Sequence, residues 1–390
     1  MGLATALKLK LKCPALKISI LEKESNCGMH QSTHNSGVLH AGLYYKPGSS
    51  KAKLAVSGIR QLKDYSLQKN IPFEICGKLV VATDQSEVPA LDELFKRGLA
   101  NGLQKLRLLE KDEIKDIEPN VNGVKAVHVP EEGIIDYKAV IEALKEDLKS
   151  LGVEILLNFK VQNILYFKNS WSIISVNEEN HECDFFINCA GLYCDKMAEL
   201  AGLKPNLRII PFRGEYYLLK PRAAKLIKNL IYPVPNPNFP FLGVHFTRLI
   251  GGGVEAGPNA VLAMAREGYK WGNINLGEFL ESLSYPGLWH FLYKYPKVSA
   301  YEVLRSLNKR IFCNSLNRLV PEITLSDLSE GGSGVRAQAI EARGELIQDF
   351  KFLDQQGALH LLNAPSPAAT ASLAIGDEIV SKFEARLALS

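Results

Sequence analysis

The residues best suited to chemistry in this chain are concentrated in residues 34–45, which read HNSGVLHAGLYY. This stretch combines two histidines, a serine, an asparagine and two tyrosines with two glycines. Histidine can exchange a proton near neutral pH, and glycine lets the backbone come close to a ligand. Neither a core strand nor a surface helix needs that mixture. The stretch is therefore predicted to line a bound molecule.

The elements before this stretch indicate which kind of molecule. Residues 2–7 have the pattern of a crossover helix, and residues 17–21 are a short apolar run typical of a buried parallel strand. The acid Glu22 follows the run, 20 residues after Gly2. This spacing matches the distance between the last glycine of a dinucleotide fingerprint and the acid that holds the ribose. Residues 34–45 would then lie where the pyrophosphate and the reactive ring run.

Two later segments fit the same interpretation. Residues 184–191 read as a second buried strand that ends on Ala190 and Gly191, where a planar ligand can approach the backbone. A plain strand-to-helix turn is the alternative. Residues 363–370, NAPSPAAT, are expected to open the C-terminal helix, with proline in its first turn. The positive end of that helix could stabilise negative charge on a cofactor.

Length and composition limit the class of protein. A chain of 390 residues with 46% hydrophobic and 23% charged residues is expected to form two globular domains. The net charge of +4, without a basic helix or strip, argues against a nucleic-acid partner. The seven cysteines contain no CxxC pair and are interpreted as reduced structural thiols. His30, His34 and His40 lack a fourth ligand motif, so no metal site is predicted.

Nine motifs together carry a resemblance to a known family, and they extend over almost the whole chain. In order they are LEKE (21–24), HNSGVLHAGLYYKPGSSKAKL (34–54), CGKLVVAT (76–83), NCAGLY (188–193), PFRGEY (211–216), PFLGVHFT (240–247), GPNAVLA (257–263), GVRAQA (334–339) and NAPSPAAT (363–370). This series resembles the L-2-hydroxyglutarate dehydrogenase/oxidase branch of the FAD-dependent DAO superfamily.

The resemblance implies an α/β fold in which a Rossmann-like FAD domain, built from separate segments, carries a mixed-sheet α+β substrate domain. We assign residues 1–75, 152–207 and 320–390 to the FAD domain, and 76–151 and 208–319 to the substrate domain. The implied reaction is oxidation of L-2-hydroxyglutarate, a small dicarboxylate, to 2-oxoglutarate with hydride transfer from C2 to flavin N5. Likeness to animal members also implies a mitochondrial location, peripheral membrane association, and transfer of electrons to a membrane quinone or flavoprotein chain.

Such a reaction needs an acceptor for the hydroxyl proton and cations for two carboxylates. His40 and His245 are the candidate bases; we favour His245, with His40 packed beside the flavin, and the residues leave the reverse open. Arg336, in GVRAQ, resembles the position at which related oxidases hold the α-carboxylate. Arg213 is interpreted either as structural or as lying near the flavin. Tyr45, with Tyr44, could close the pocket.

The expected FAD contacts are distributed along the chain. Residues 363–366 are assigned to the pyrimidine end of the flavin and Val161 to the adenine side. The complete set of cofactor-binding residues is Gly2, Glu22, Lys23, Ser36, Gly37, Val161, Ala190, Gly191, Asn363, Ala364 and Ser366.

One departure from the family pattern affects these expectations. The family begins with a strand and a GxGxxG turn whose N–H groups cradle the pyrophosphate, and here only Gly2 of that segment is present. We therefore interpret the sequence as N-terminally truncated and expect weaker FAD binding. Two alternatives stay open: a related flavin enzyme acting on glycerol 3-phosphate or an amino acid, and a non-catalytic remnant.

Overall fold

A computed structural model of the chain describes residues 1–236 and 242–387. The first two residues of the 240–247 motif lie outside this part of the chain. The described helices are α1 Gly2–Lys12, α2 Ser50–Gln68, α3 Val88–Ala100, α4 Lys111–Ile117, α5 Tyr137–Ser150, α6 Cys194–Leu200, α7 Pro221–Ala224, α8 Leu276–Ser284, α9 Pro286–Lys294, α10 Pro296–Leu307, α11 Lys309–Asn317 and α12 Ser372–Leu387.

The described strands lie between these helices, singly or in consecutive runs. They are β1 Ser19–Leu21, β2 Val38–Leu39, β3 Phe73–Glu74, β4 Lys78–Ala82, β5 Arg107–Glu110, β6 Lys125–Val129, β7 Gly133–Ile135, β8 Glu154–Leu156, β9 Val161–Phe167, β10 Ser170–Ser175, β11 Asn180–Cys183, β12 Phe186–Asn188, β13 Leu207–Leu219, β14 Leu230–Pro233, β15 His245–Arg248, β16 Val254–Gly257, β17 Val261–Leu262, β18 Leu328–Glu341, β19 Lys351–Gln355 and β20 Ala358–Asn363. Short 3₁₀ turns occur at Gln85–Glu87, Gly191–Tyr193 and Leu325–Asp327.

The predicted parallel strands pair as expected. β1 pairs in parallel with β8, and β12 pairs in parallel with β20, which is flanked by antiparallel β19. Strands β9, β10 and β11 form an antiparallel sheet of their own. Helices α1, α5 and α12 pack together beside these strands. The α/β class predicted from the sequence is confirmed.

Close backbone approach at two glycines fixes the C-terminal helix and the segment that precedes it. A Cβ on Gly376 of α12 would stand 3.1 Å from the carbonyl oxygen of Ala4, so α1 and α12 cross at short range. A Cβ on Gly58 of α2 would stand 2.4 Å from Cα of Ala371. The chain just before α12 therefore lies directly on α2, whose first turn follows residues 34–45.

The second large unit is a nine-stranded sheet in the order β17-β13-β16-β15-β14-β4-β6-β5, with β18 paired to β13. β13 and β18 run antiparallel from the Leu207–Glu341 pair to the Leu219–Leu328 pair. Helices α8 to α11 connect this sheet to β18. No helix in the described ranges is long and apolar enough to cross a bilayer.

Three segments lie differently from the sequence-based expectation. β18 pairs within the nine-stranded sheet, although residues 320–390 are assigned above to the FAD domain. Helix α5 packs on α1, although 76–151 is assigned to the substrate domain. The C-terminal helix begins at Ser372 and not at the prolines, because residues 366–371 form turns and proline 365 precedes them. The exact domain boundaries stay a prediction.

Candidate active site

A cavity of about 2360 Å³ is lined by residues from the parallel-strand region and from the nine-stranded sheet. Sites for drug-sized ligands measure about 300–1,000 Å³, so this cavity has room for an extended cofactor and a small substrate. Most residues predicted to form the site line it: Gly2, Glu22, Lys23, Ser36, His40, Tyr45, Val161, Ala190, Gly191, His245, Arg336, Asn363, Ala364 and Ser366.

The histidine-containing stretch and the returning C-terminal segment meet at Thr370. The Thr370 hydroxyl accepts the backbone N–H of His40 at 3.2 Å and donates to the carbonyl oxygen of Val38 at 3.1 Å. The buried hydroxyl of Tyr137 lies 2.9 Å from the same oxygen atom of Thr370. A further hydrogen bond joins Tyr45 to Ser366. These contacts hold both segments on one side of the cavity.

Several cavity-lining groups fit a dinucleotide. The N-terminus of α1 has no side-chain cap, and Met1 to Thr5 line the cavity, so the positive end of the helix faces it. Glu22 presents a carboxylate, the group that binds ribose hydroxyls in such folds. The buried Oδ1 of Asn363 has no hydrogen-bond partner among the described residues, although its Nδ2 donates to two carbonyl oxygens. That oxygen can accept a donor from a ligand.

His245 is held in the protonation state that a base requires. Its Nδ1 lies 2.8 Å from the carbonyl oxygen of Gly243 and must donate to it, which leaves Nε2 as a proton acceptor. The ring stacks on Tyr232 with 3.8 Å between centroids. Burial, assisted by the positive charges of Lys78 and Arg336, lowers the pKa of His245 to about 3. The imidazole is therefore neutral at physiological pH.

His40 faces a fully buried ion pair. The Lys78 ammonium contacts the Glu132 carboxylate, and neither side chain is exposed. Glu132 also accepts the N–H of Ala41 at 3.1 Å, and its other oxygen lies 3.8 Å from Nδ1 of His40. Burial alone would raise the pKa of Glu132, but Lys78 and His40 together hold it at about 2. Burial lowers the pKa of His40 in spite of the carboxylate.

Arg336 supplies a second positive charge in the cavity wall. It lies on β18 and donates to the carbonyl oxygen of Asn259 at 3.0 Å. Its partner across the strands is Phe212 of β13, and Tyr216 of the same strand lies near its charge. Tyr216 also hydrogen bonds to Ser36. Arg336 is thus fixed between the sheet and the histidine-containing stretch.

Comparison with known proteins agrees with this geometry. Residues 1–382 match the family model described as FAD dependent oxidoreductase. The chain belongs to the FAD dependent oxidoreductase family. The resemblance inferred from the nine motifs is confirmed, and FAD is the cofactor that the family uses.

Full-length relatives narrow the branch within this family. The L-2-hydroxyglutarate dehydrogenase of Indibacter alkaliphilus is 51% identical over 97% of this chain and 95% of its own length. The proteins named L-2-hydroxyglutarate dehydrogenase, mitochondrial, of Bos taurus and Homo sapiens are 43% and 42% identical, over 100% and 98% of this chain and 87% of their own lengths.

Solved structures of other proteins share the fold. The L-alpha-glycerophosphate oxidase of Mycoplasma pneumoniae, with FAD bound, superposes with a TM-score of 0.78 at 22% identity, covering 97% of this chain and 91% of its own. The glycine oxidase of Geobacillus kaustophilus gives a TM-score of 0.71 at 14% identity, covering 98% and 92%. At such identities the likeness shows the fold alone.

Two predicted site residues lie outside the cavity lining of this family member. Arg213 is 3.0 Å from Glu215 and stacks on Trp271 at 4.3 Å. Side chains alternate along β13, so Arg213 and Glu215 point away from the face that carries Gly214. Gly37 has a φ of +67° and accepts the N–H of Ile135, so it shapes the turn before β2. Neither residue is retained in the candidate site.

Lys23 lines the cavity but is engaged in a bridge between the two units. Its ammonium contacts Glu24 and lies 2.8 Å from Glu267. His30 joins them, with Nε2 at 2.9 Å from Glu24 and 3.0 Å from Glu267. Glu24, His30 and Glu267 are spaced closely enough to hold a metal, but the Lys23 ammonium already contacts both carboxylates. This cluster is therefore interpreted as an ion-pair bridge.

Sequence reasoning did not identify four residues that shape this site: Lys51, Lys78, Glu132 and Tyr232. Lys51 lines the cavity, its ammonium lies 4.9 Å from the ring centre of Tyr45, and burial lowers its pKa to about 8. Lys78 begins an otherwise apolar strand, KLVVA, and this position was the one sequence feature that could have drawn attention to it. A lysine at such a position is rarely fully buried without a partner.

Proposed function

We propose that this chain oxidises L-2-hydroxyglutarate to 2-oxoglutarate with bound FAD. The relatives that match over almost their whole length carry that activity in their names. The observation that carries the proposal is a neutral His245, with Nε2 free to accept a proton, in the same cavity as Arg336. An acceptor of that kind and a fixed cation are what oxidation of a 2-hydroxy acid requires of the protein.

FAD supplies the acceptor for the hydride that leaves C2 of the substrate. The N-terminus of α1 and the Glu22 carboxylate would hold its pyrophosphate and ribose. Ala190 and Gly191 allow backbone to approach it, and Asn363 offers an unpaired acceptor oxygen. All of these groups line the one cavity.

His245 is assigned as the base. As the C2–H bond breaks, the hydroxyl proton moves to Nε2 of His245 and the C–O bond becomes a carbonyl. The hydrogen bond to Gly243 and the stacking on Tyr232 fix the ring for this transfer. His40 is assigned to the wall beside the flavin, oriented by Glu132.

Arg336 is assigned to the substrate carboxylate next to the reacting carbon. Its planar guanidinium can bind a carboxylate through two N–H groups, and burial strengthens that contact. Lys51 adds a cation to the same cavity and is the candidate partner for the second carboxylate. A dicarboxylate would thus be held at both ends while C2 faces the flavin.

The electron acceptor and the location extend the proposal beyond the substrate. We infer that electrons pass to a membrane acceptor, a quinone or a flavoprotein chain, at a peripheral membrane site. A mitochondrial location is supported by the names of the animal relatives and not by that of the bacterial one. Fractionation of source cells, with immunodetection of the chain in mitochondrial and cytosolic fractions, tests the location.

The activity is tested with the FAD-loaded chain and an artificial electron acceptor. L-2-hydroxyglutarate, its D-enantiomer, glycerol 3-phosphate and glycine are compared at matched concentrations. We expect turnover of the L-enantiomer and formation of 2-oxoglutarate. Turnover of glycerol 3-phosphate or glycine without turnover of L-2-hydroxyglutarate would replace the proposed substrate. A matched His245→Gln variant should retain flavin and lose turnover.

A further inference from the structure

Three side chains from neighbouring strands of the nine-stranded sheet form a stack beside the cavity. β14 lies between β4 and β15, and its Tyr232 is flanked by Lys78 of β4 and His245 of β15. The Lys78 ammonium stands 4.2 Å from the ring centre of Tyr232, and the His245 ring stacks on the same residue with 3.8 Å between centroids. A buried cation and the proposed base therefore share one aromatic ring.

Glu132 holds the ammonium in this stack. One oxygen of its carboxylate contacts Lys78 and lies 3.8 Å from Nδ1 of His40, while the other accepts the N–H of Ala41 at 3.1 Å. Lys78 has one ion-pair partner in the described part of the chain, and that partner is Glu132. Because both side chains are fully buried, the ammonium depends on this carboxylate for its compensating charge.

The proposed reaction brings a second positive charge to the stack. His245 is neutral at the start and becomes an imidazolium when Nε2 takes the hydroxyl proton. Lys78, Arg336 and His40 all oppose a positive charge on the His245 ring. Like charges interact strongly in a buried site, so an uncompensated Lys78 would make this proton transfer less favourable.

The other titratable groups on this face of the sheet do not replace Glu132. Tyr232 and Tyr216 stay neutral, because burial raises the pKa of both phenols. Glu255 of β16 lies opposite Thr247, one pair along from the pair that His245 forms. Burial raises the pKa of Glu255 to about 7, so its carboxyl group is largely protonated in mildly acidic solution.

We propose that Glu132 is a positioning residue for the base: it holds the Lys78 ammonium against Tyr232 and offsets its charge, so that His245 can become an imidazolium. Neither Lys78 nor Glu132 is among the described residues that line the cavity. Glu132 therefore acts through Lys78 and Tyr232 and does not touch the substrate. The inference rests on the proposed function, because it takes His245 as the base.

Glu132→Gln removes the charge at almost unchanged volume. In the FAD-loaded chain, kcat for L-2-hydroxyglutarate should fall about three- to tenfold, because a less basic His245 accepts the proton less readily. KM should stay within about twofold, since the carboxylates are assigned to Arg336 and Lys51. The acidic limb of kcat should move to lower pH by about one unit or more, because Lys78 is protonated there and opposes the imidazolium. A general loss of packing would not move the limb in this direction.

A second variant tests whether Glu132 acts through Lys78. In Lys78→Met with Glu132→Gln both charges are gone, so kcat should return to within about twofold of the wild type, with its acidic limb at or above the wild-type pH. Glu132→Asp keeps the charge and should keep the wild-type limb. Glu113→Gln, whose partner Arg107 is mostly exposed, is the matched control and should change neither kcat nor the limb.

A readout without turnover uses ¹⁵N spectra of the histidine-labelled, FAD-loaded chain. On acidification, Lys78→Met should begin to protonate His245 at a pH about one unit or more above that of the wild type. Absence of wild-type turnover, or turnover that survives His245→Gln, refutes the proposed function, and the ring titration then decides the inference by itself. An unmoved limb in Glu132→Gln, an unmoved titration in Lys78→Met, or a double variant no more active than Glu132→Gln each overturns the role given to Glu132.

Discussion

The buried pair of Lys78 and Glu132 gives the sharpest quantitative prediction. Both side chains are fully buried, and Glu132 also contacts His40. In Glu132→Gln the ammonium of Lys78 keeps its burial and loses its counter-charge. Removing one partner of a buried ion pair typically costs about 3–5 kcal/mol. At about 2.1 cal/mol/K of unfolding entropy per residue, 390 residues give about 0.8 kcal/mol/K, so Tm should fall by about 4–6 °C.

The double variant distinguishes the charge effect from a packing defect. Lys78→Met with Glu132→Gln removes both charges at similar volume, and it should be more stable than Glu132→Gln alone by at least about 2 kcal/mol. Glu113→Gln is the matched control. Its partner Arg107 is mostly exposed, so the expected cost is below about 1 kcal/mol. Thermal unfolding with all chains fully loaded with FAD provides the measurement.

The pH dependence adds an independent check. Burial lowers the pKa of Lys78 even beside Glu132, and loss of the carboxylate lowers it further. Between that lower pKa and pH about 10 the folded variant binds fewer protons than the unfolded chain. The stability of Glu132→Gln should therefore rise relative to that of the wild type between pH about 7 and 9. If the two proteins show parallel pH dependence, and the double variant is no more stable than the single one, Lys78 does not carry a charge that Glu132 compensates.

Further predictions concern three single positions. Arg336→Ala should lower kcat/KM for L-2-hydroxyglutarate by a factor that corresponds to about 2–4 kcal/mol of lost transition-state stabilisation, and Arg336→Lys should lower it by less. Unchanged kinetics would remove Arg336 from the site. His245→Gln should lower kcat about 10²–10⁴-fold. The pKa of His245 is about 3 in the folded chain, against about 6.5 in the unfolded chain. The free energy of unfolding of the wild type should therefore fall by up to about 2.7 kcal/mol between pH about 6.5 and 4.5, and that of His245→Gln should not show this fall. Urea unfolding measures both. Gly58→Ala should cost about 1–3 kcal/mol by urea unfolding, because its Cβ would stand 2.4 Å from Ala371; equal stability would contradict that contact.

Local patterns made the parallel strands and the crossover helix predictable. The short apolar run before Glu22 and the 20-residue spacing from Gly2 are properties of neighbouring residues, and β1 and α1 appear where they indicate. The predicted start of the C-terminal helix was wrong, because proline is common in turns as well as in the first turn of a helix. The C-terminal helix begins at Ser372, after the turns.

The buried ion pair shows what the sequence could not reveal. Glu131 and Glu132 are adjacent and chemically identical, yet Glu131 is half-buried and caps Gln104 while Glu132 is fully buried beside His40. Only long-range packing distinguishes them, since Lys78 and His40 are far away along the chain. For Arg213 the local pattern was visible but did not decide the outcome. The alternation along β13 was visible in the sequence, but nothing local said which face of that strand meets the ligand.

Arg336, which is proposed to bind a substrate carboxylate, also helps to set the basicity of His245. Lys78 and Arg336 help to lower the pKa of its imidazole in the free enzyme. A bound dicarboxylate brings two negative charges into that field and offsets it, so the pKa of His245 must rise when the substrate is present. The acidic limb of kcat should therefore lie at higher pH than the limb of kcat/KM, which reports the free enzyme. Coincident limbs, after allowance for ionisation of the substrate itself, would mean that His245 is not the group that takes the proton.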